Sequence, residues 1–496
     1  PQGTLYGRNS LGGVIHLLSA PPSVRHELDA SATLGNYGQQ ELGLSWSGPI
    51  VPGELSLGLS GLYSARDGYT TNAFTGHDVD SRESFFGRVQ ARWTPSDRDE
   101  LRFSLHGERA RDGGFALGRV SALKQDPFRI DQDFEGRVER DLVAPSLTWR
   151  RFGDAVDLTS ITAYESWDAF ESSDFDFSPV DGVVRETTEG QDYLYQELRL
   201  SSAEERPLAL SATTDLSWLA GLSFFYAESD RGSVNDVRNS PVGAGVQTSS
   251  GDFEDLGLGL FGQATATLDE RLDLTAGLRF DTELKQADLR NTSTLGGNVD
   301  VSDSADDDYS KAVPHASVAY RPAQGSMLYG SVSMGYKAGG FNLSAGTGDY
   351  AFDPETTVSY ELGLKQSLWR ERIDLRLAWF YIDWQDMQLT VFDPVAGGIV
   401  DNAGESSSQG VELELDARLT DDLTLFTAFG AVDATFEEYS PAPGSDLAGN
   451  ELPFAPETTW SVAAQYDGRL GQLSRWFLRA EYVLIGEFFY DAANQG

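Results

Sequence analysis

From about residue 26 to the end of the chain, apolar and polar residues alternate, which places successive side chains on opposite faces of an extended strand. Leu272, Leu274, Ala276, Leu278 and Phe280 share one face, and Asp273, Thr275, Arg279 and Asp281 share the other. The same division sets Val89, Ala91 and Trp93 against Arg88, Gln90 and Arg92, and Leu101, Phe103 and Leu105 against Arg102, Ser104 and His106. It recurs in Val411, Leu413 and Leu415 against Glu412, Glu414 and Asp416. Runs such as 252 to 268, 373 to 392 and 474 to 488 exceed the usual strand of about 5–6 residues. They suit tilted strands crossing about 25 Å of hydrocarbon, where about 9–11 residues suffice. About nineteen such runs are more than an open twisted sheet normally holds. The pattern predicts an all-β chain closed into a transmembrane antiparallel β-barrel, with its apolar face to lipid and its charged face to a water-filled lumen.

The connections sort by length as well. Tight links fall at 94–97, 151–154, 269–270, 321–325, 369–371 and 420–422. Between them lie long polar segments near 66–82, 110–136, 169–188, 230–251, 286–308, 338–354 and 435–454. Membrane barrels place short turns on the periplasmic side and long loops outside, and this spacing predicts that division. The link 202–216 is longer than the rule favours. Trp46, Trp93, Trp149, Trp218, Trp369 and Trp476 stand near strand ends, where amphipathic rings settle at a membrane interface.

Composition narrows the chemistry. Among 496 residues, 77 acidic and 37 basic side chains give a net charge of −40, the opposite of what a nucleic-acid partner requires. The absence of cysteine excludes disulfides and thiolate metal sites. The apolar fraction of 40% lies below the roughly 45–50% of globular domains. No stretch approaches the ~18 apolar residues of a membrane helix, so a barrel is the remaining way to span a bilayer. His16, His26, His77, His106 and His315 lack metal-ligand spacing, and no nucleophile elbow, phosphate loop or paired-carboxylate arrangement is present. The chain is therefore expected to be neither an enzyme nor the holder of a resident cofactor. Asp288, Asp300, Asp303, Asp306, Asp307 and Asp308 supply oxygen ligands in principle for Ca²⁺, yet without the glycine and closing glutamate of an EF-hand. A solvated acidic loop is the favoured reading there.

Residues 1–19, PQGTLYGRNSLGGVIHLLS, break the alternation. Pro1-Gln2-Gly3, Leu5-Tyr6-Gly7, Asn9-Ser10, Gly12-Gly13 and Val14-Ile15 together resemble the end of the plug domain of TonB-dependent outer-membrane receptors. The resemblance continues in the eight residues 335–342, in Pro354-Glu355-Thr356 and in 360–365. Asn402-Ala403-Gly404 with 410–414 extends it further. It implies a plug remnant over 1–22 and a barrel over 23–496. The family barrel has about twenty-two strands around a plugged lumen. About three strands are thus expected beyond Gly496, and most of the plug with the TonB box before Pro1.

The resemblance also implies a Gram-negative outer-membrane receptor that imports a scarce ligand, powered by the TonB–ExbB–ExbD complex and surrounded by outer-membrane lipid and lipopolysaccharide. A ferric siderophore or other iron complex leads as the extracellular ligand; a saccharide or other nutrient, and more distantly a passive porin or adhesin, are the alternatives. The acidic balance favours a neutral or cationic ligand, within the ~8 Å reach that physiological salt allows. Gly3, Tyr6, Gly7, Gly12 and Gly13 would form the plug turn, and Arg8 would meet the wall at Glu361 and Glu412. Tyr336, Lys337, Phe341 and Asn342, where a long strand enters a loop, are the preferred ligand contacts, with Phe115, Phe175, Phe177 and Tyr350 as further loop aromatics.

Overall fold

A computed structural model describes residues 3–203, 207–241, 243–344, 350–393, 397–441, 444–471 and 474–495. Twenty strands form one sheet in which every pairing is antiparallel and joins members adjacent along the chain, except that Val183–Ser202 pairs past the short strand Leu208–Ser211 with Thr214–Val237. It starts at Glu27–Leu34 and ends at Ser474–Ile485. One member, Leu208–Ser211, is a four-residue strand against the base of Thr214–Val237, within the link that looked too long. The other nineteen (20 − 1) agree in number with the roughly nineteen alternating runs read from the sequence. Two short helices, Gly3–Tyr6 and Val120–Leu123, complete the described secondary structure with three small sheets in the long connections.

The two faces differ as alternation requires. Leu274, Leu278 and Phe280 are 46%, 56% and 50% exposed, whereas Arg279, Asp281 and Glu283 on the same strand are 6%, 6% and 1% exposed. Apolar side chains on the outside of a protein and charges within it mark a wall whose outer solvent is lipid. Short turns join the strands at one end, as at Asp269 and Glu270, and the long connections lie at the other.

Several boundaries differ from the sequence reading. Segments 230–251 and 286–308 are largely strand, since Thr214–Val237 pairs with Gly245–Leu268 and Leu272–Ser293 pairs with Val299–Tyr320. Polarity on both faces looked like loop, but beyond the bilayer both faces of a ladder are wet and alternation is no longer required. The run 373–392 divides into Ile373–Gln385 and Gln388–Asp393, broken at Asp386 with φ 54°.

Candidate functional site

The site lies where the N-terminal segment meets the inner wall. Gly3–Tyr6 makes one helical turn, closed by a 2.8 Å bond from the Gly7 amide to the Gly3 carbonyl. It sits against wall strands with no clearance for larger residues: a Cβ at Gly3 would lie 2.6 Å from Val313 and 2.8 Å from the Met334 carbonyl. Gly7 has φ +80°, and a Cβ there would meet the Arg279 guanidinium at 2.9 Å. Thr4 donates to the Val313 carbonyl at 3.0 Å, the Asn9 amide donates to the Tyr336 carbonyl at 2.9 Å, and Ser10 caps the Gly7 carbonyl. Gly12 has open space around it and Gly13 has φ +111°, while Tyr6 is exposed and edge-on to His16.

Strand register builds the wall in rows. Arg199, Gly221, Phe261, Arg279 and Val313 are directly opposite one another on five consecutive strands. The Phe261 ring lies across Gly221, where a Cβ would come within 2.4 Å, and stands 5.1 Å from Arg279 and 5.9 Å from Arg199. Glycine in a strand interior here admits a flat-lying neighbour. Arg279 is held by Asp281 at 2.8 Å and donates to Ser223 at 2.7 Å.

Higher in the wall, Arg8 donates to Glu283 at 2.8 Å and lies 3.7 Å from Asp255, which also holds Lys285 at 2.6 Å. The Arg8 guanidinium stacks 3.8 Å from the centre of Phe225, whose ring stacks on Tyr193 at 5.9 Å. Two cations thus face two carboxylates in a partly dry site, an arrangement in which removing one member leaves another uncompensated. Above it, Arg231 pairs with Glu189 at 3.0 Å and lies over Phe253 at 5.2 Å.

The expected partners of Arg8 are replaced. Glu361 accepts from Tyr329 on the neighbouring strand, and Glu412 lies opposite Ala378 and Gly430; Glu283 and Asp255 take the arginine instead. Alternation assigns a side chain to a face but says nothing of which strand passes the segment. The available signal was the inward run Arg279, Asp281, Glu283, Lys285, with a charge at four successive lumen positions of one strand.

The expected ligand contacts separate into packed and accessible groups. Tyr336 is 2% exposed among Tyr309, Val313 and Ala338. Phe341 and Tyr350 pack together with Ala287 and Leu289. Asn342 exchanges bonds of 2.7 and 3.0 Å with the Val400 backbone. In this conformation all four side chains are buried against neighbouring residues. Lys337 remains accessible, its ammonium 3.9 Å from buried Glu355. Phe175 and Phe177 form a ring pair at 6.3 Å, with Arg185 over Phe175 at 4.8 Å, and Phe115 is exposed. The aspartates of 286–308 divide between the two faces of a hairpin and do not converge. Among the described residues no group of three or more His, Asp or Glu side chains is arranged to hold a metal.

A family model described as TonB dependent receptor-like, beta-barrel, matches residues 92–496. The chain belongs to that family. The pesticin receptor of Yersinia enterocolitica is 26% identical over 508 aligned residues, covering 100% of this chain and 70% of the relative. The metal-pseudopaline receptor CntO of Pseudomonas aeruginosa is 31% identical over 186 residues, 37% of this chain and 25% of the relative. Among solved structures, the ferric yersiniabactin uptake receptor FyuA of Yersinia pestis superposes with a TM-score of 0.85 at 22% identity, covering 100% of this chain and 74% of that one. The siderophore receptor PiuA of Acinetobacter baumannii gives 0.77 at 16% identity, over 99% and 76%. The wall described above is thus that of an outer-membrane receptor barrel whose family works with TonB.

Proposed function

We propose that this receptor imports an iron complex, a ferric siderophore in the first place, across the outer membrane. Segment 3–22 is on this reading the end of the plug, and TonB with ExbB and ExbD supplies the work that moves it. The observation that carries the reading is a receptor wall combined with an N-terminal segment bound to its inner face through Thr4, Arg8 and Asn9. A passive pore gains nothing from a segment latched across its wall, whereas an energised importer needs a contact that resists leakage and yields to pulling. Proteins that align over this whole chain are named as a pesticin receptor and a ferric yersiniabactin uptake receptor, and the latter supports an iron complex over a saccharide. The extracellular mouth, with Lys337, Phe115, Phe175 and Phe177, is where first contact would occur. Deleting the gene and following uptake of radiolabelled ferric chelates by iron-starved cells tests the proposal. Loss of uptake of one chelate, restored by the gene and dependent on TonB, is the expected result; normal iron uptake with loss of growth on a sugar would overturn it.

A further inference from the structure

Several buried polar atoms among the described residues lack a partner, and two of them stand where the N-terminal segment is seated on the wall. The Oε1 atom of Glu283 is buried without a hydrogen bond, and so is the hydroxyl of Tyr336. Buried orphans are rare enough in folded proteins that each calls for a physical reason. They belong to one locality: Tyr336 packs on Tyr309, Tyr309 lies directly opposite Glu283 across the strand pair, and the Glu283 carboxylate acts electrostatically on Tyr336. The same Tyr336 gives its carbonyl to the Asn9 amide, one residue from Arg8.

The charge balance explains why a reserve donor would be useful. At rest Arg8 serves Glu283, and Lys285 is taken by Asp255 at 2.6 Å. When the N-terminal segment moves, Lys285 stays with Asp255, and Glu283, with its side chain only 2% exposed, loses its cation. An uncompensated buried carboxylate opposes the motion unless another donor takes it over. The O–H of a neutral phenol is a strong donor to a carboxylate. The geometry points to Tyr336 as a positioning residue: its hydroxyl, idle while the segment is seated, turns to Glu283 once Arg8 withdraws and holds the wall ready for the arginine to return. This rests on the reading that segment 3–22 moves during import. It makes Tyr336 a part of the gating step and not a ligand contact.

The test compares the full-length receptor with its Y336F, E283Q and Y336F/E283Q variants, each carrying a fluorophore on a cysteine placed at exposed Ile15. Release of the segment is timed after a jump into urea too dilute to unfold the barrel. Because the hydroxyl has no partner at rest, Y336F should leave the resting thermal midpoint unchanged or slightly raised. It should slow release by about tenfold, the worth of one hydrogen bond to a charged group. In the E283Q background, where no charge needs a new donor, the same substitution should have no effect. Release from Y336F at the wild-type rate, an equal slowing in the E283Q background, or a lowered resting midpoint would overturn the inference. Uptake of ferric chelates is measured alongside: if the wild type carries none, the proposed function fails while the release rates still decide the role of Tyr336.

Discussion

Glycines in the N-terminal segment illustrate how little of a residue's role is visible in its type. Gly7 and Gly12 are equally conspicuous in the sequence, yet Gly7 has φ +80° under the Arg279 guanidinium and Gly12 has nothing within 4 Å. Gly7→Ala should therefore destabilise the seated segment by at least about 1–2 kcal/mol from backbone strain alone. Gly12→Ala should be neutral or slightly stabilising, through a less flexible unfolded chain. Urea midpoints for segment release separate the two, and equal effects would mean that the close approach at Gly7 is not what seats the turn. Arg8 is the second test at this scale. Arg8→Gln leaves Glu283 buried without a cation and should weaken seating by about 3 kcal/mol, most of it recovered in the double variant with Glu283→Gln. Arg8 was legible as a wall contact because a charge on a plug remnant needs a partner. The identity of that partner was not, since Glu283 lies 275 residues away and neither alternation nor motif carries information on height within the barrel.

Strands and turns carry the next scale. The hairpin between Gly245–Leu268 and Leu272–Ser293 turns through Asp269 and Glu270 at φ 50° and 59°, and Trp369, Arg370 and Glu371 are all left-handed at 50°, 58° and 62°. Each non-glycine residue there carries strain of about 1 kcal/mol or more, so Glu270→Gly and Arg370→Gly should each raise stability by about that amount in thermal or denaturant unfolding. At the opposite end of the barrel, Asp174 closes the strand Val156–Asp174 and accepts from the amides of Asp176 and Phe177. Burial, reinforced by the neighbouring charges of Asp176 and Asp133, pushes its carboxyl up to about 6. A carboxyl raised on folding favours the folded turn in its protonated form. The stabilisation is complete below the ordinary value near 3.8 and is lost as pH rises through about 6. Stability against urea should therefore rise between pH 7 and pH 5 by the contribution of this carboxyl, and Asp174→Asn should remove that contribution. Alternation made the membrane-crossing parts of these strands legible because lipid and water impose opposite demands on the two faces. Above the bilayer that contrast vanishes, which is why the upper part of Leu272–Ser293 looked like a loop and why Asp174 carried no sign of its burial.

For the whole molecule, the outer surface records where the membrane lies. Reading upward along Gly245–Leu268, outward Leu268, Ala266, Ala264, Gly262, Leu260, Leu258 and Leu256 give way to Glu254 and Asp252. Twelve steps from 256 to 268 (268 − 256 = 12), at about 3.3 Å each and a tilt of about 40°, span about 30 Å along the bilayer normal. The upper limit is marked by a row of Tyr164, Leu194, Tyr226, Leu256 and Leu284, directly opposite one another on consecutive strands, as interfacial tyrosines should be. One row higher, Asp192, Glu228 and Glu254 face each other, and above them Asp230, Asp252 and Asp288 do the same. Like charges directly opposite are unfavourable in any sheet and would be prohibitive in hydrocarbon, so these rows lie among headgroups or in water. The consequence is a depth profile that a point charge can read. Leu260→Arg, near the middle of the belt, should destabilise folding into lipid vesicles by about 2–4 kcal/mol. Asp252→Arg, two rows above the belt, should be neutral or stabilising by up to about 1 kcal/mol, because it places a cation between Asp230 and Asp288. Equal costs at the two positions would mean that the hydrocarbon reaches above the tyrosine row, and the assignment of outer and inner faces would have to shift with it.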